Sequence, residues 1–228
     1  MIANEPLVSV IMSVFNDQKN VRESILSILN QSYSNFEFLI MDDGSTDETY
    51  KAINSIKDKR IKLFKNTKNI GLTKSLNLLI KESKGELIAR QDSDDISHFN
   101  RFQFEVNKIL KLNIDAITTR AYINGSNKVI PGISYFLPNK IVIKFKNPFI
   151  HGTLMIRKET LINLGLYDEN YIYAQDYKLF ADIIRNNIKI YTSKKPYYIL
   201  NTENNISSLK KAEQNKYADL VKSTINLK

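Results

Sequence analysis

Two short runs of the chain crowd carboxylates together, Asp42-Asp43-Gly44-Ser45-Thr46-Asp47-Glu48 and Asp92-Ser93-Asp94-Asp95. A third polar stretch, Ser13-Val14-Phe15-Asn16-Asp17, precedes them. Carboxylates gathered at one place repel one another unless a cation or several donors stand beside them. A divalent metal answers that need, and hard oxygen ligands suit magnesium, calcium or manganese. Such an ion is commonly held by one or two carboxylates and completes its shell with substrate phosphates. Each run also has a plainer reading, because Asp and Gly form turns and Ser caps helices. Phe15 is either core or a stacking surface for a base.

The elements that must position these groups alternate strand and helix. Leu7–Val14 is a nearly continuous apolar run of strand length, as expected for a strand covered on both faces. Val21, Ile25, Ile28 and Leu29 recur at helical spacing, and Phe36–Met41 is a second buried strand. Ser45 followed by Glu48 is a capping box that predicts a helix start near Thr46. Ile61–Phe64 is a third strand, Leu72, Leu76, Leu79 and Ile80 stripe a third helix, and Glu86–Arg90 is a fourth strand. This alternation implies right-handed crossovers and a mostly parallel sheet flanked by helices. Ligands of such sheets bind beyond the carboxyl ends of the strands, where three of the four end in the polar runs above.

After about residue 120 the rhythm breaks into loops and short strands. Thr153–Ile156 reads as a strand, with helices near 158–164 and 176–187 and closing strands at Ile188–Tyr191 and Tyr197–Leu200. From Ser208 onward, Leu209, Ala212, Tyr217, Leu220 and Val221 share one helical face with lysines around it. The expected organisation is one domain over 1–200, its halves about 1–120 and 121–200, with an amphipathic helix or tail over 201–228.

Composition removes several chemistries. The 228 residues hold no cysteine, so disulfides, thiolate metal sites and a cysteine nucleophile are excluded. Two histidines, His98 and His151, cannot make a three-histidine zinc site. No apolar run approaches the roughly 18–20 residues of a membrane span, and Met1–Pro6 lacks the basic and apolar regions of a secretory signal. A cytoplasmic protein is expected. There is no Gly-x-Gly-x-x-Gly, P-loop or Gly-x-Ser-x-Gly elbow. The net charge of +9, from 33 Lys+Arg against 24 Asp+Glu, favours an anionic partner: nucleic acid, an acidic membrane face or a phosphorylated small molecule.

Taken in order, these segments resemble family 2 glycosyltransferases of the GT-A fold, the Rossmann-like fold of nucleotide-diphospho-sugar transferases. Val8–Asn16 looks like that family's first strand, Asp42–Asp47 its uridine-binding segment and Asn69-Ile70-Gly71 its Asn-x-Gly segment. Gly85–Ile96 matches its Asp-x-Asp metal motif, with Arg101 where an arginine commonly follows. Ala174-Gln175-Asp176-Tyr177-Lys178-Leu179 resembles its Glu-Asp-Tyr-x-Leu segment, with Gln175 replacing the usual Glu. The likeness runs over roughly residues 7–186.

The resemblance implies a role for each residue. Asp43 would hydrogen-bond uracil, Phe15 would pack on it, and Ser13 and Asn16 would lie along the uridine. Asp92, Ser93 and Asp94 would meet the nucleotide sugar, and Asp92, Asp94 and Asp95 would hold Mn2+ or Mg2+ at the diphosphate. Lys74 would approach the diphosphate, while Arg90 and His151 belong to the same nucleotide-sugar region. His151 alone reads more readily as a structural histidine, and it is a secondary site candidate. Asp176 would be the general base of an inverting transfer from a UDP-sugar, or merely a helix cap.

The acceptor expected from the resemblance is an oligosaccharide or a polyprenyl-diphosphate-linked saccharide, in capsule, O-antigen or other surface-glycan synthesis. The basic surface and tail suit peripheral association with the inner membrane face, and a tail packed on its own domain is the other reading. Gln175 leaves open a catalytically weak relative. A sugar-nucleotide pyrophosphorylase would need a glycine-rich loop, and Ser13–Asn20 has no glycine. Nucleic acid is disfavoured because the lysines are dispersed and acids sit at the strand ends.

Overall fold

The computed structural model describes residues 5–202 and 210–226. Met1–Asn4, Ser208 and Leu209, which entered the expectations for the two ends, lie outside them. The central strands form where apolar runs are continuous: β1 (Val8–Val14), β2 (Phe36–Asp42), β3 (Ile61–Lys65) and β4 (Leu87–Arg90). Alternation splits them between two cores. Val8, Val10, Met12 and Val14 face the core shared with Val21, Ile25 and Ile28 of α1 (Val21–Leu29). Ile11, Leu39 and Met41 face the other core, with Leu76, Leu79 and Ile80 of α3 (Leu72–Glu82). Each fully buried Ile or Leu contributes about 1.5–3 kcal/mol, so these runs dictate a three-layer sandwich.

The nine-stranded sheet has the order β3-β2-β1-β4-β8-β6-β9-β5, with β7 paired to β6. β5 is Ile96–Ser97, β6 Ala116–Ile123, β7 Val129–Ile130, β8 Met155–Arg157 and β9 Ile190–Leu200. β3, β2, β1 and β4 are parallel neighbours, β8 runs antiparallel to β4, and β6 and β9 pair in parallel. Strand order reverses at β1, between β2 and β4. That is a topological switch point, where the loops beyond the carboxyl ends diverge and leave a crevice.

Several expectations change. α2 spans Thr49–Asn54, not a helix from Thr46. Asn16 Oδ1 accepts the Thr46 N–H at 2.8 Å and Asp47 Oδ1 accepts that of Thr49 at 3.0 Å, so the turn is closed by these groups rather than by a capping box. The two closing strands are one, β9, which carries Pro196 through a register shift opposite Arg120. Helix α4 (Arg101–Leu112) and strand β6 were not anticipated at all. Short helices α5 (Asn139–Val142) and α6 (Lys158–Asn163) and a 3-10 turn at His151–Thr153 precede α7 (Gln175–Arg185).

The tail forms α8 (Lys211–Asn226). Val221 is fully buried, Tyr217, Ala218 and Ile225 pack on the domain core, and the Tyr217 ring meets those of Tyr171 and Tyr173. Of the two readings of this segment, the packed helix is the one observed. Leu220 and Ala212 remain exposed.

Candidate active site

The loops after β1 and β2 are stitched to each other. Asn16, in a left-handed conformation that Asn tolerates, donates its N–H to Ser45 Oγ at 3.0 Å. Asp17 N donates to Thr49 Oγ1 at 2.8 Å, and Ser93 Oγ donates to Asp17 Oδ2 at 2.7 Å, tying in the loop after β4. Gly44 has φ +75°, and a Cβ there would lie 2.5 Å from the Lys68 carbonyl carbon. Only glycine lets the 66–71 loop approach so closely.

Asp43 is almost fully buried and organises that loop. Its Oδ1 accepts from Asn66 Nδ2 at 2.7 Å and Ile70 N at 3.0 Å, and its Oδ2 from Gly71 N at 2.9 Å. A carboxylate has about four acceptor positions, so one remains for a ligand donor. Its neighbour Asp42 is fully buried: Oδ1 accepts Ser45 N, and Oδ2 has no partner among the described residues. Phe15 stays 46% exposed beside these loops, Ser13 is half-buried, and Lys74 is exposed on the first turn of α3.

The loop after β4 carries the acidic cluster. Burial and the charges of Asp92 and Asp17 push the Asp94 carboxyl up to about 7. Asp95 is buried, accepts from Asn201 N at 2.7 Å, and is raised well above the usual carboxylate range by burial and by Asp92 and Asp94. Asp92 is ion-paired to Arg90, and its N–H donates to Tyr198 Oη at 3.2 Å. Among the described residues, no three Asp, Glu or His side chains already converge as a metal centre. The donor set nevertheless fits a divalent cation. Asp94 offers oxygen donors in a negative field, and one or two carboxylates suffice when phosphates complete the shell.

The basic groups near the cluster are braces. Buried Arg90 donates to Ile11 O at 3.0 Å, Gln91 O at 2.8 Å and His151 Nε2 at 3.3 Å, besides Asp92. Arg101, fully buried, donates to Ser97 Oγ, Gln91 Oε1 and Arg90 O. Burial and Arg90 push the His151 ring down to about 3, so it is neutral at pH 7. Its Nε2 accepts from Arg90 and therefore also accepts from Tyr167 Oη, 2.8 Å away. Gly152 is required here, because a Cβ would stand 2.8 Å from both Asp92 Oδ2 and Tyr198 Cζ.

Asp176 lies in the first turn of α7, one residue inside the helix start; the cap position itself is Ala174, in a left-handed conformation. Asn147 Nδ2 donates to Asp176 Oδ2 at 2.8 Å. Burial raises the Asp176 carboxyl above its ordinary range, and the charge of Asp92 adds to the rise. Asn77 on α3 holds the approach to α7, accepting Tyr167 N at 3.1 Å and donating to Tyr167 O at 2.9 Å. The fold thus gathers Ser13, Asn16, Asp43 and the 92–95 loop at the switch point. It sets His151 beside Arg90 and brings Asp176 within electrostatic reach of Asp92. No described contact links Lys74 to this group.

Sequence reasoning missed Asn66, Asn147, Gly152, Tyr167 and Tyr198. Only the placement of Gly152 beside His151, already singled out, offered a signal.

The family model for glycosyl transferase family 2 matches residues 9–165. The chain belongs to that family. Among curated relatives it is 32% identical over 183 residues to the Escherichia coli UDP-Glc:alpha-D-GlcNAc-diphosphoundecaprenol beta-1,3-glucosyltransferase WfgD, covering 79% of this chain and 71% of WfgD. The Escherichia coli O-antigen biosynthesis glycosyltransferase WbnJ is 34% identical, with 78% of this chain and 72% of WbnJ covered. Among solved structures, S. aureus TarS 1-349 in complex with UDP-GlcNAc superposes with a TM-score of 0.77 at 22% identity, over 94% of this chain and 65% of TarS 1-349. The mannosyltransferase PcManGT from Pyrobaculum calidifontis, in complex with GDP-Man and Mn2+, gives 0.78 at 18% identity, over 99% of this chain and 66% of that one. These likenesses establish the GT-A fold and make this family 2 glycosyltransferase a transferase. Among the described residues, no helix is long and apolar enough to cross a membrane.

Proposed function

We propose that this glycosyltransferase moves a sugar from a UDP-sugar to a hydroxyl of a saccharide carried on a polyprenyl diphosphate, in bacterial surface-glycan synthesis. The observation that carries the reading is Asp176. It is a carboxylate with raised proton affinity, oriented by Asn147, and it feels the charge of Asp92. A base on the acceptor side of a diphosphate site is what direct displacement by a neutral hydroxyl needs. The lipid-linked acceptor is supported by the name of WfgD, and the UDP donor by WfgD and TarS.

In this reading the exposed Phe15 ring stacks on uracil and the remaining acceptor position of Asp43 takes the uracil N–H. Asp94, with Asp92, would hold Mn2+ or Mg2+, which neutralises charge on the departing diphosphate. Asp95 keeps the loop in place through Asn201. Arg90 and His151 fix Asp92. Asp176 then takes the proton of the attacking acceptor hydroxyl while the anomeric carbon–diphosphate bond breaks, with inversion.

The test is Asp176→Asn, assayed by UDP release across a panel of UDP-sugars and lipid-linked saccharide acceptors and by UDP calorimetry. Transfer should fall by roughly 100-fold or more, the usual scale of a lost general base, with UDP affinity nearly unchanged. Full transfer by the variant would remove Asp176 as the base.

A further inference from the structure

The positive charge of this chain is not spread evenly. Between Asp115 and Glu159 there is no acidic residue, and that stretch holds seven Lys and Arg, most of the net +9. By contrast α8, where amphipathic character first pointed to a membrane, pairs Lys222 with Asp219 and buries Val221.

The same stretch exposes large apolar side chains. Ile133 is 85% exposed, Phe136 69% and Phe145 71%, with Leu137 and Ile141 about half-exposed. Ile141 and Phe145 lie one turn apart, because the backbone bonds of α5 continue through Lys144, Phe145 and Lys146. Lys140, Lys144 and Lys146 are exposed beside them. The segment is nevertheless anchored. Val142 and Ile143 are buried, and Tyr177 Oη donates to Ile143 O at 2.6 Å. The outward apolar groups are therefore held by a fixed base.

Asn147 follows Lys146 directly and holds Asp176. The patch therefore adjoins the proposed base and lies in the half of the chain away from the nucleotide loops.

We infer that the 133–146 segment is a docking surface for an anionic lipid bilayer, through which the enzyme rests beside its acceptor. This deepens the proposed function and rests on its lipid-linked acceptor. Ile, Leu and Phe side chains enter the boundary between headgroups and acyl chains, while neighbouring lysines pair with anionic headgroups. A second copy of the chain is the poorer occupant, because a two-fold contact would set this all-basic surface against itself. Nucleic acid is poorer too, since Ile133, Leu137 and Ile141 offer nothing to a phosphate backbone.

The test is co-sedimentation of the full chain with phosphatidylcholine vesicles, with and without phosphatidylglycerol. Binding should require phosphatidylglycerol and weaken with salt. Lys140→Gln, Lys144→Gln and Lys146→Gln together should cost on the order of 100-fold in partition, roughly five-fold for each lysine. Phe136→Ser with Phe145→Ser should reduce partition at least about ten-fold without lowering the melting temperature, since both rings are exposed. Lys211→Gln with Lys216→Gln on α8 should leave partition unchanged.

No sedimentation with anionic vesicles would overturn the proposal. So would wild-type partition of the Phe136/Phe145 variant, loss confined to the α8 variant, or a dimer in sedimentation velocity that Phe136→Ser dissociates. Vesicle binding is read without donor or acceptor, so it can fail while UDP binding and transfer stand, and the reverse.

Discussion

Adding one methyl group at Gly152 should damage the acidic cluster from behind. An ideal Cβ there stands 2.8 Å from Asp92 Oδ2 and 2.8 Å from Tyr198 Cζ, with the Tyr198 hydroxyl nearer still. Ordinary contact begins at 3.4 Å, so both groups must retreat by at least about 0.6 Å. Neither is free to do so. Tyr198 is 1% exposed with the Arg101 guanidinium 5.2 Å from its ring centre, and Asp92 is paired to Arg90. Overpacking of this kind costs about 1–3 kcal/mol, or roughly 2–12 °C of melting temperature for a chain of this size. A misplacement of about 1 Å in a reacting constellation can cost on the order of 100-fold, so Gly152→Ala should lower UDP-sugar turnover by at least roughly ten-fold. Pairing it with Tyr198→Phe removes the nearest obstacle, so the double variant should be less impaired than the sum of the singles by about 1 kcal/mol. Thermal melts and UDP release read both effects. A Gly152→Ala protein that melts and turns over like wild type would refute the steric argument.

Other consequences follow from single groups. Glu105 is fully buried, accepts from Arg101 Nε at 3.3 Å through Oε1, has no partner for Oε2 among the described residues, and is pushed by burial up to about 7. The folded state therefore holds a proton that the unfolded chain releases near 4.5, so Glu105 removes stability as pH rises from 4.5 to about 7. The loss is on the order of 3 kcal/mol, and Glu105→Gln should flatten the denaturant-measured stability over that window; an unchanged slope would deny it. Asp43→Asn replaces one acceptor oxygen with a donor facing backbone N–H groups, and should cost about 1–3 kcal/mol in chemical denaturation as well as uracil preference. Phe15→Ala, at a 46% exposed site, should leave the melting temperature alone yet lower UDP affinity by about 1–3 kcal/mol in calorimetry.

What could be read from the chain follows its physics. β1 and β2 were legible because they bury every apolar residue they present, and α1 because Val21, Ile25 and Ile28 are buried at helical spacing, so pattern and burial coincide. Helix α4 escaped because its buried face includes Arg101 and Glu105, charged side chains that break the apolar stripe and pair with each other inside only through Oε1. β6 hides Thr118 and Thr119 in its interior, and Pro196 split β9 into two apparent strands. At the site, motif residues could be placed on strand ends from their spacing alone. Their supports could not, because each is defined by a distant partner: Asn147 by Asp176, Tyr167 by His151, Tyr198 by Asp92. The same limit explains Arg90, whose donors are consumed by Ile11, Gln91, Asp92 and His151. Charge misled by its total. The overall +9 looked dispersed, whereas its excess is concentrated between Asp115 and Glu159.

The most direct measurement is the affinity of UDP for the wild-type chain by calorimetry, in Mn2+ and again in excess chelator, with Asp94→Asn alongside. A diphosphate held through a cation on the acidic cluster gives binding that needs Mn2+ and is weakened at least ten-fold by Asp94→Asn, roughly the scale of one lost charged contact. Equal affinity in chelator, with Asp94→Asn binding as wild type, would contradict a metal-assisted nucleotide site at the end of β4.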